Sequence, residues 1–169
     1  MRKNLYVLVD ASQKIGSGHL MRCLTLTREL NSIFNKIIFI TSKESKSIIN
    51  NIQNNFEIIY IDSMEKMELG NFQDELKIIK NTLEKYSDDE NFLLIDHYGV
   101  DSNFESSLKN IFMKIFVIDD LADRKHYCDL LIDHGYYKNQ DQRYEKLVSK
   151  KTIKLLGPQY AIIKPEFRN

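Results

Sequence analysis

The fold is decided by residues 4–26, NLYVLVDASQKIGSGHLMRCLTL. This stretch begins with an apolar run of strand length, passes through an aspartate and a glycine-bearing turn, and continues into a segment with helical spacing. Within that segment, the side chains that fall on one side of a helix are Leu20, Cys23, Leu24, Thr27, Leu30 and Phe34. The stretch therefore predicts a strand, a turn and a helix in succession.

Apolar runs of similar length recur at residues 36–41, 56–61, 92–96, 114–119 and 130–133. They are apolar throughout rather than alternating, which is typical of strands covered on both faces, as in a parallel sheet. Helical patterns lie between these runs at 44–53, 72–86 and 103–112. The alternation predicts the α/β class, with a Rossmann-like, doubly wound parallel sheet and right-handed crossovers.

Past Gly135 the alternation stops. Residues 136–152 are polar and charged and predict a loop or an exposed helix, with 138–151 as a solvated face. Residues 153–167 predict one last strand followed by a tail that contains both prolines. We therefore expect residues 1–157 to form one Rossmann-like domain.

The bulk composition disfavours several classes of protein. The 169 residues carry a formal net charge of +0, and this balance disfavours binding to nucleic acid or to a membrane surface. Residues 1–10 contain too short an apolar run for a signal peptide, and no segment approaches the roughly 18 apolar residues that span a bilayer. We expect a cytoplasmic protein. Cys23 and Cys128 lack CxxC spacing, so buried reduced thiols are expected, with a disulfide as the alternative.

Polar residues follow several predicted strands, and ligands bind at the carboxyl ends of strands in doubly wound sheets. These strand ends are residues 10–19, 96–99, 119–120 and 133–135, and histidines occur in all of them except 119–120. These strand ends are therefore the candidate positions for ligand contacts.

The turn IGSGH, residues 15–19, has the most distinctive pattern. Glycines let the backbone approach a ligand closely, and the N–H groups that open a helix can hold an anion. The turn is neither a Walker A loop nor a GxGxxG fingerprint, because the required lysine and third glycine are absent. Ligand contact by Gly16, Ser17 and Gly18 is favoured over a plain turn capped by Ser17. The helix dipole keeps a histidine at this position neutral, so His19 can accept a proton, with capping or packing as the alternative.

The stretch LLIDHYGVD, residues 93–101, ends another buried strand. Asp96, His97 and Tyr98 are expected to face the same cleft as His19, with capping by Asp96 and packing of His97 as the alternative. The Asp119-Asp120 pair could suggest a metal site, but Asp123, His126 and Cys128 follow it with no recognised ligand spacing, so a structural turn is favoured. A GxSxG elbow is absent, which disfavours a serine nucleophile.

Four motifs together resemble a bacterial family of nucleotide-sugar hydrolases: DASQKIGSGHLMRCLTL, LIDHYGVD, VIDDLADRKHYCDLLID and LLGPQYAIIKPEF. That family cleaves UDP-2,4-diacetamido-2,4,6-trideoxy-β-L-altropyranose on the route to pseudaminic acid. The resemblance spans residues 10–167 and is specific because the motifs occur in the same order. The family is similar in turn to GT-B glycosyltransferases, which have two Rossmann-like lobes.

The resemblance implies an N-terminal lobe that supplies the catalytic and sugar-side groups, with 158–169 as a tail leading towards an interdomain hinge. The implied partners are a UDP-sugar substrate and a C-terminal nucleotide-binding lobe, covalent or separate. The implied catalytic base is His19, assisted by Tyr98, and water attacks the anomeric carbon to release UDP and the free sugar. Further substrate contacts are expected from Asp10, Gly16, Ser17, Gly18, Arg22, Asp96 and His97. No metal and no cofactor is implied.

One position departs from the family pattern. The family carries an arginine two residues before the strand-end aspartate, and this chain has Leu8 there. A contact made by that arginine is therefore not expected here. Two other functions fit the sequence: the acceptor-side lobe of a GT-B glycosyltransferase, in which His19 deprotonates a hydroxyl, and a non-catalytic sugar-nucleotide binding domain.

Overall fold

The computed structural model describes residues 1–10, 17–50, 56–61, 72–83 and 89–167. Its strands are β1 (Lys3–Val9), β2 (Lys36–Ser42), β3 (Glu57–Ile61), β4 (Glu90–Asp96), β5 (Lys114–Ile118), β6 (Leu130–Asp133) and β7 (Ile153–Leu156). The α-helices are α1 (Gly18–Leu30), α2 (Lys46–Asn50), α3 (Gln73–Leu83) and α4 (Ser102–Ser107). Short 3-10 turns occupy Lys43–Ser45, Gln140–Gln142, Pro158–Tyr160 and Pro165–Phe167.

The strands form one parallel sheet in the order β3-β2-β1-β4-β5-β6-β7. The chain builds outward from β1 to β3 and then returns to β4 on the other side of β1, so the direction of winding reverses between β1 and β4. Val9 is paired with Asp96 across that junction. The predicted α/β, Rossmann-like, doubly wound parallel sheet is confirmed. The ends of the predicted helices at 51–53 and 84–86 lie outside the described residues.

Both faces of the central strands are buried, as the unbroken apolar runs indicate. Tyr6 and Leu8 point into one core, which α3 and α4 cover, whereas Leu5 and Val7 point into the other, which α1 covers. These four side chains are fully buried, and each such burial stabilises the fold by about 1.5–3 kcal/mol. The inner strand β1 is therefore packed on both faces.

Coverage of the second face is incomplete among the described residues. Right-handed crossovers place α3, α4 and the segment after β6 on the first face, which leaves the second face of β5–β7 without a helix from this part of the chain. An apolar groove of about 360 Å³ remains there, lined by side chains that include Leu30, Phe34, Phe116, Ile132 and Leu155. The sequence expectation of strands covered on both faces is thus met only in part.

Most of 138–151 is exposed, as the sequence predicts, but the segment also contains a buried anchor that the sequence analysis missed. Tyr144 is fully buried, and Leu147 and Val148 pack against the first core. The Tyr144 hydroxyl lies 3.0 Å from carboxylate oxygens of both Asp119 and Asp133. These three side chains fasten the segment beneath the ends of β5 and β6. The sequence analysis missed them because the residues around them are mostly charged.

The structure rules out the alternative that Ser17 caps α1. Ser17 occupies the N-cap of α1, but its side chain makes no capping hydrogen bond, because its backbone is helical (φ −85°, ψ −1°) rather than extended. Asp101 does cap a helix, accepting hydrogen bonds from the backbone N–H groups of Asn103 and Phe104.

Cys23 is buried, Cys128 is only partly buried, and both are free thiols. None of the helices in the described ranges is long and apolar enough to cross a membrane.

His126 is the centre of a buried charge cluster below the end of β5. Its Nδ1 lies 2.7 Å from Glu105 Oε1 and its Nε2 lies 3.7 Å from Asp119 Oδ2. Burial alone would lower the pKa of His126, but hydrogen bonding to Asp119 and Glu105 raises it to about 9. The imidazolium therefore holds the 119–128 turn to α4. Among the described residues, no group of His, Cys, Asp and Glu has the arrangement of a metal site.

This cluster predicts a specific dependence of stability on pH. Because the pKa of His126 is 6.5 when unperturbed and about 9 in the folded chain, its stabilising effect is complete below pH 6.5 and is lost as the pH rises to about 9. We expect wild-type stability to fall by up to about 3 kcal/mol across this window, and His126→Gln to be less stable at low pH without that fall. Urea unfolding at several pH values measures both.

The matched control is Lys125→Gln, which removes the neighbouring exposed side chain and should retain the wild-type fall. A wild-type unfolding free energy that is constant across the window, or an equal fall in His126→Gln, would contradict the assignment of His126 as a buried imidazolium.

Candidate functional site

The predicted strand-end residues assemble where the winding reverses. Asp10 follows β1, Asp96 ends β4, and the two are 3 % and 1 % exposed. The backbone N–H of Asp10 lies 3.4 Å from the Asp96 carbonyl oxygen, so the two strand ends are joined. The first turn of α1 begins beside them and carries Ser17, Gly18 and His19. Gly16 lies outside the described residues, so its predicted contact stays a prediction.

Arg22 links two of the strand ends. Its Nε and Nη2 donate to the two oxygens of Asp96, each at 2.5 Å, and its Nη1 donates to Asp120 Oδ2 at 3.1 Å. Paired hydrogen bonds between a guanidinium and a carboxylate are strong and fix the orientation of both groups. Burial alone would lower the pKa of Arg22, but Asp96 and Asp120 raise it, so the guanidinium is always charged.

His19 lies one helical turn before Arg22 on the same side of α1. Its Nδ1 is 3.5 Å from Asp96 Oδ1, and its ring meets the Tyr98 ring edge to face, with centroids 4.5 Å apart. Burial lowers the pKa of His19. The Asp96 charge raises it and the Arg22 charge lowers it further, and the net shift is downward. The sequence predicted a neutral ring from the helix dipole, and the structure adds burial as the largest cause.

Gly18 is exposed at the start of α1. A β-carbon placed on Gly18 would meet no described atom within 4 Å, so no described packing requires a glycine there. Absence of a side chain at that position lets a ligand approach the backbone at the start of α1. The ligand contact of Gly18 stays a prediction.

His97 is a second buried histidine in the same place. It is 2 % exposed, and its Nδ1 accepts a hydrogen bond of 2.9 Å from the backbone N–H of Gly99. Burial lowers its pKa to about 4, with Asp10 opposing the shift and His19 adding to it. The neutral ring therefore carries its proton on Nε2, which is buried and has no hydrogen-bond partner among the described residues. His97 can donate this hydrogen bond to a group that enters the site.

Asp120 belongs to the site, although the sequence indicated only a turn or a metal pair there. Asp120 pairs with Arg22. The pKa of the Tyr98 phenol is raised, chiefly by burial and also by the charge of Asp120. Asp119, the preceding residue, is fully buried on the opposite side with Tyr144 and His126. Successive residues of an extended chain point to opposite sides, and this alternation could have separated the two aspartates.

Two other sequence features do not join this group. Asp133, at the end of β6, accepts hydrogen bonds from Arg143 and from the backbone N–H of Gly135, so it organises the following turn. Leu8 is fully buried between Ile40 and Ile95 in the sheet and points into the first core. The position that departs from the family pattern is therefore part of the hydrophobic interior in this chain.

These side chains bring together groups that can carry out proton transfer. The site combines a neutral imidazole, a protonated phenol and a buried N–H donor, and one arginine neutralises the carboxylates beside them. A neutral imidazole can take a proton from a water molecule or a hydroxyl.

Comparison with known proteins gives two distant relatives. The chain matches no protein-family model. It is 32% identical over 160 residues to the UDP-2,4-diacetamido-2,4,6-trideoxy-beta-L-altropyranose hydrolase of Campylobacter jejuni, covering 94% of this chain and 51% of that protein. It is 26% identical over 163 residues to an uncharacterised protein of Methanocaldococcus jannaschii, covering 95% of this chain and 31% of that protein.

The chain thus spans about half the length of one relative and about a third of the other. The protein is distantly related to a protein named as a UDP-sugar hydrolase, and the two share sequence along nearly the whole of this chain.

Proposed function

We propose that this chain is the catalytic-side part of a nucleotide-sugar hydrolase, which releases UDP and 2,4-diacetamido-2,4,6-trideoxy-L-altrose from the UDP-sugar in pseudaminic acid biosynthesis. The observation that carries the proposal is the neutral, buried His19 in ring contact with Tyr98 at the point where the winding reverses. The relationship to the Campylobacter jejuni protein supports the class of substrate. The other lobe, joined to this one or separate, would hold most of the nucleotide.

In the proposed reaction, water attacks the anomeric carbon of the sugar. The bond between water oxygen and that carbon forms while the bond from the carbon to the UDP oxygen breaks, and UDP leaves with the electron pair. His19 accepts the proton released by the attacking water. The Tyr98 hydroxyl hydrogen-bonds the water or the sugar, and Asp10, His97 and the backbone of 16–18 contact the substrate.

The central experiment measures UDP release from this UDP-sugar. It uses the chain both alone and fused to the part of the Campylobacter jejuni protein that lies outside the matched region. We expect UDP and free sugar to form in at least one of these forms without any acceptor. UDP release that occurs only when a sugar acceptor is added would indicate a glycosyltransferase, and no release by either folded form would contradict catalysis.

His19→Asn should reduce UDP release by ~10²–10⁴-fold, because a positioned general base contributes that much. Asparagine fits the space of the ring but cannot take up the proton. Circular dichroism and binding of UDP to the fused form should remain as in the wild type. If the variant kept its turnover, His19 would have no part in the mechanism.

Tyr98→Phe should slow UDP release by roughly tenfold, since one hydrogen bond contributes ~0.5–1.5 kcal/mol and 1.4 kcal/mol is a factor of ten. The ring contact with His19 is retained, so the change isolates the hydroxyl. The matched control is Tyr127→Phe, at a tyrosine that is 49% exposed, which should leave the rate at the wild-type value. Equal rates for all three proteins would remove the Tyr98 hydroxyl from the reaction.

The dependence of kcat/KM on pH provides a further check. Because the base must be neutral and the pKa of His19 is lowered from 6.5, the rate should fall only below pH 6.5 on the acid side. A midpoint at or above 6.5 would contradict His19 as a buried neutral base.

A further inference from the structure

We propose that Asp96 and Arg22 are positioning residues for His19 rather than substrate ligands, and that the carboxylate held by Arg22 fixes the His19 proton on Nδ1 and leaves Nε2 as the proton acceptor. The inference rests on the proposed function only where it treats His19 as the base. The placement of the proton follows from the geometry alone and can be measured without substrate.

The first observation concerns the surroundings of Nδ1. This atom is buried and lies 3.5 Å from Asp96 Oδ1, and no other described residue supplies it with a hydrogen-bond partner. An ionised carboxylate can only accept hydrogen bonds. A proton on Nδ1 is attracted to that oxygen, whereas a lone pair on Nδ1 would be repelled by it. The buried carboxylate therefore selects the Nδ1–H form of the ring, and hydrogen bonds of a catalytic group commonly shorten once substrate is bound.

The second observation is that Asp96 cannot turn away to meet a substrate. Its side chain is 1% exposed, both oxygens accept hydrogen bonds from Arg22, and Oδ2 also lies 3.4 Å from the Cys23 thiol. Arg22 is held in turn by Asp120 on the neighbouring strand end. Since α1 carries both His19 and Arg22, the helix and the end of β4 are fixed relative to each other through this carboxylate.

The third observation is that the neighbouring histidine has the opposite arrangement. His97 accepts a hydrogen bond at Nδ1 from the backbone N–H of Gly99, so its proton lies on Nε2. The site therefore holds one imidazole with an available lone pair and one with an available N–H. Two neutral histidines with opposite proton positions can divide the work of accepting a proton and donating a hydrogen bond.

The ion pair also matches the charge that develops during proton transfer. When His19 becomes an imidazolium, the Asp96 carboxylate stabilises its positive charge. Before proton transfer, burial and the positive charge of Arg22 offset the pull of Asp96, so the His19 ring stays neutral. Second partners of this kind orient a catalytic histidine and stabilise its charged form without themselves being protonated. Loss of Asp96 should thus act on the proton affinity and orientation of His19.

The test is a long-range ¹H–¹⁵N NMR spectrum of the ¹⁵N-labelled 169-residue chain near neutral pH, without ligand, with the His19 signals assigned from His19→Asn. We expect His19 to show a protonated Nδ1 and an unprotonated Nε2, and His97 to show the reverse pattern in the same sample. A His19 ring with its proton on Nε2 in the wild type would overturn the inference.

Asp96→Asn should lower the pKa of His19, measured from the same spectra, and should give a mixture of the two proton positions. The matched control is Asp101→Asn, which exchanges an acid for an amide at a helix cap where asparagine is equally suitable, and it should leave His19 unchanged. An unchanged His19 spectrum in folded Asp96→Asn would overturn the role of Asp96.

Arg22→Lys provides a second route if Asp96→Asn does not fold. Lysine keeps the charge but cannot grip both carboxylate oxygens, so the proton on Nδ1 should become less fixed. A His19 spectrum identical to the wild type in this variant would overturn the role of Arg22.

UDP release separates this inference from the proposed function. In the active form, Asp96→Asn should lower kcat by at least about tenfold with KM within about twofold, as expected for a residue that acts through the base. A rise in KM with unchanged kcat would instead make Asp96 a substrate ligand. If the wild type released no UDP but showed the expected spectrum, the proposed function would fail and the positioning of His19 would stand.

Discussion

The site depends on how one buried carboxylate is neutralised. Asp96 lies at the end of a central strand with almost no access to water, and an isolated charge there would be strongly unfavourable. Arg22 provides two short hydrogen bonds to it from the neighbouring helix and a third to Asp120. Because the two partners come from elements that are distant in sequence, the ion pair ties the first turns of α1 to the end of β4. His19 takes its position from the same helix.

The second constraint is topological. The direction of winding reverses between β1 and β4, which brings Asp10, Asp96 and the first turn of α1 to one edge of the sheet. Helices cannot cover this edge, because the crossovers diverge to opposite faces on either side of it. The position of the site is therefore a consequence of strand order, and the residues at these strand ends can differ without altering the fold.

The chain keeps its two charged clusters separate. Asp119 belongs with His126, Glu105 and Tyr144 in an interior network that fastens loops, whereas Asp120 faces Arg22 and Tyr98 in the site. A single step along the backbone divides a structural carboxylate from one beside the proposed base. The opposite pKa shifts of His126 and His19 follow from these surroundings, since carboxylates contact both nitrogens of the first ring and burial dominates at the second.

The sequence by itself determined the class of fold, because unbroken apolar runs separated by helical patterns leave few arrangements other than a parallel sheet with helices. It also identified His19, Asp96, His97 and Tyr98 as neighbours, since strand ends of such a sheet share one edge. Only the tertiary structure decided that Arg22 clamps Asp96, that Asp120 joins them, and that Tyr144 is an interior anchor within a charged segment. These are contacts between residues far apart in the chain, and their partners depend on strand order and side-chain direction, which local patterns do not contain.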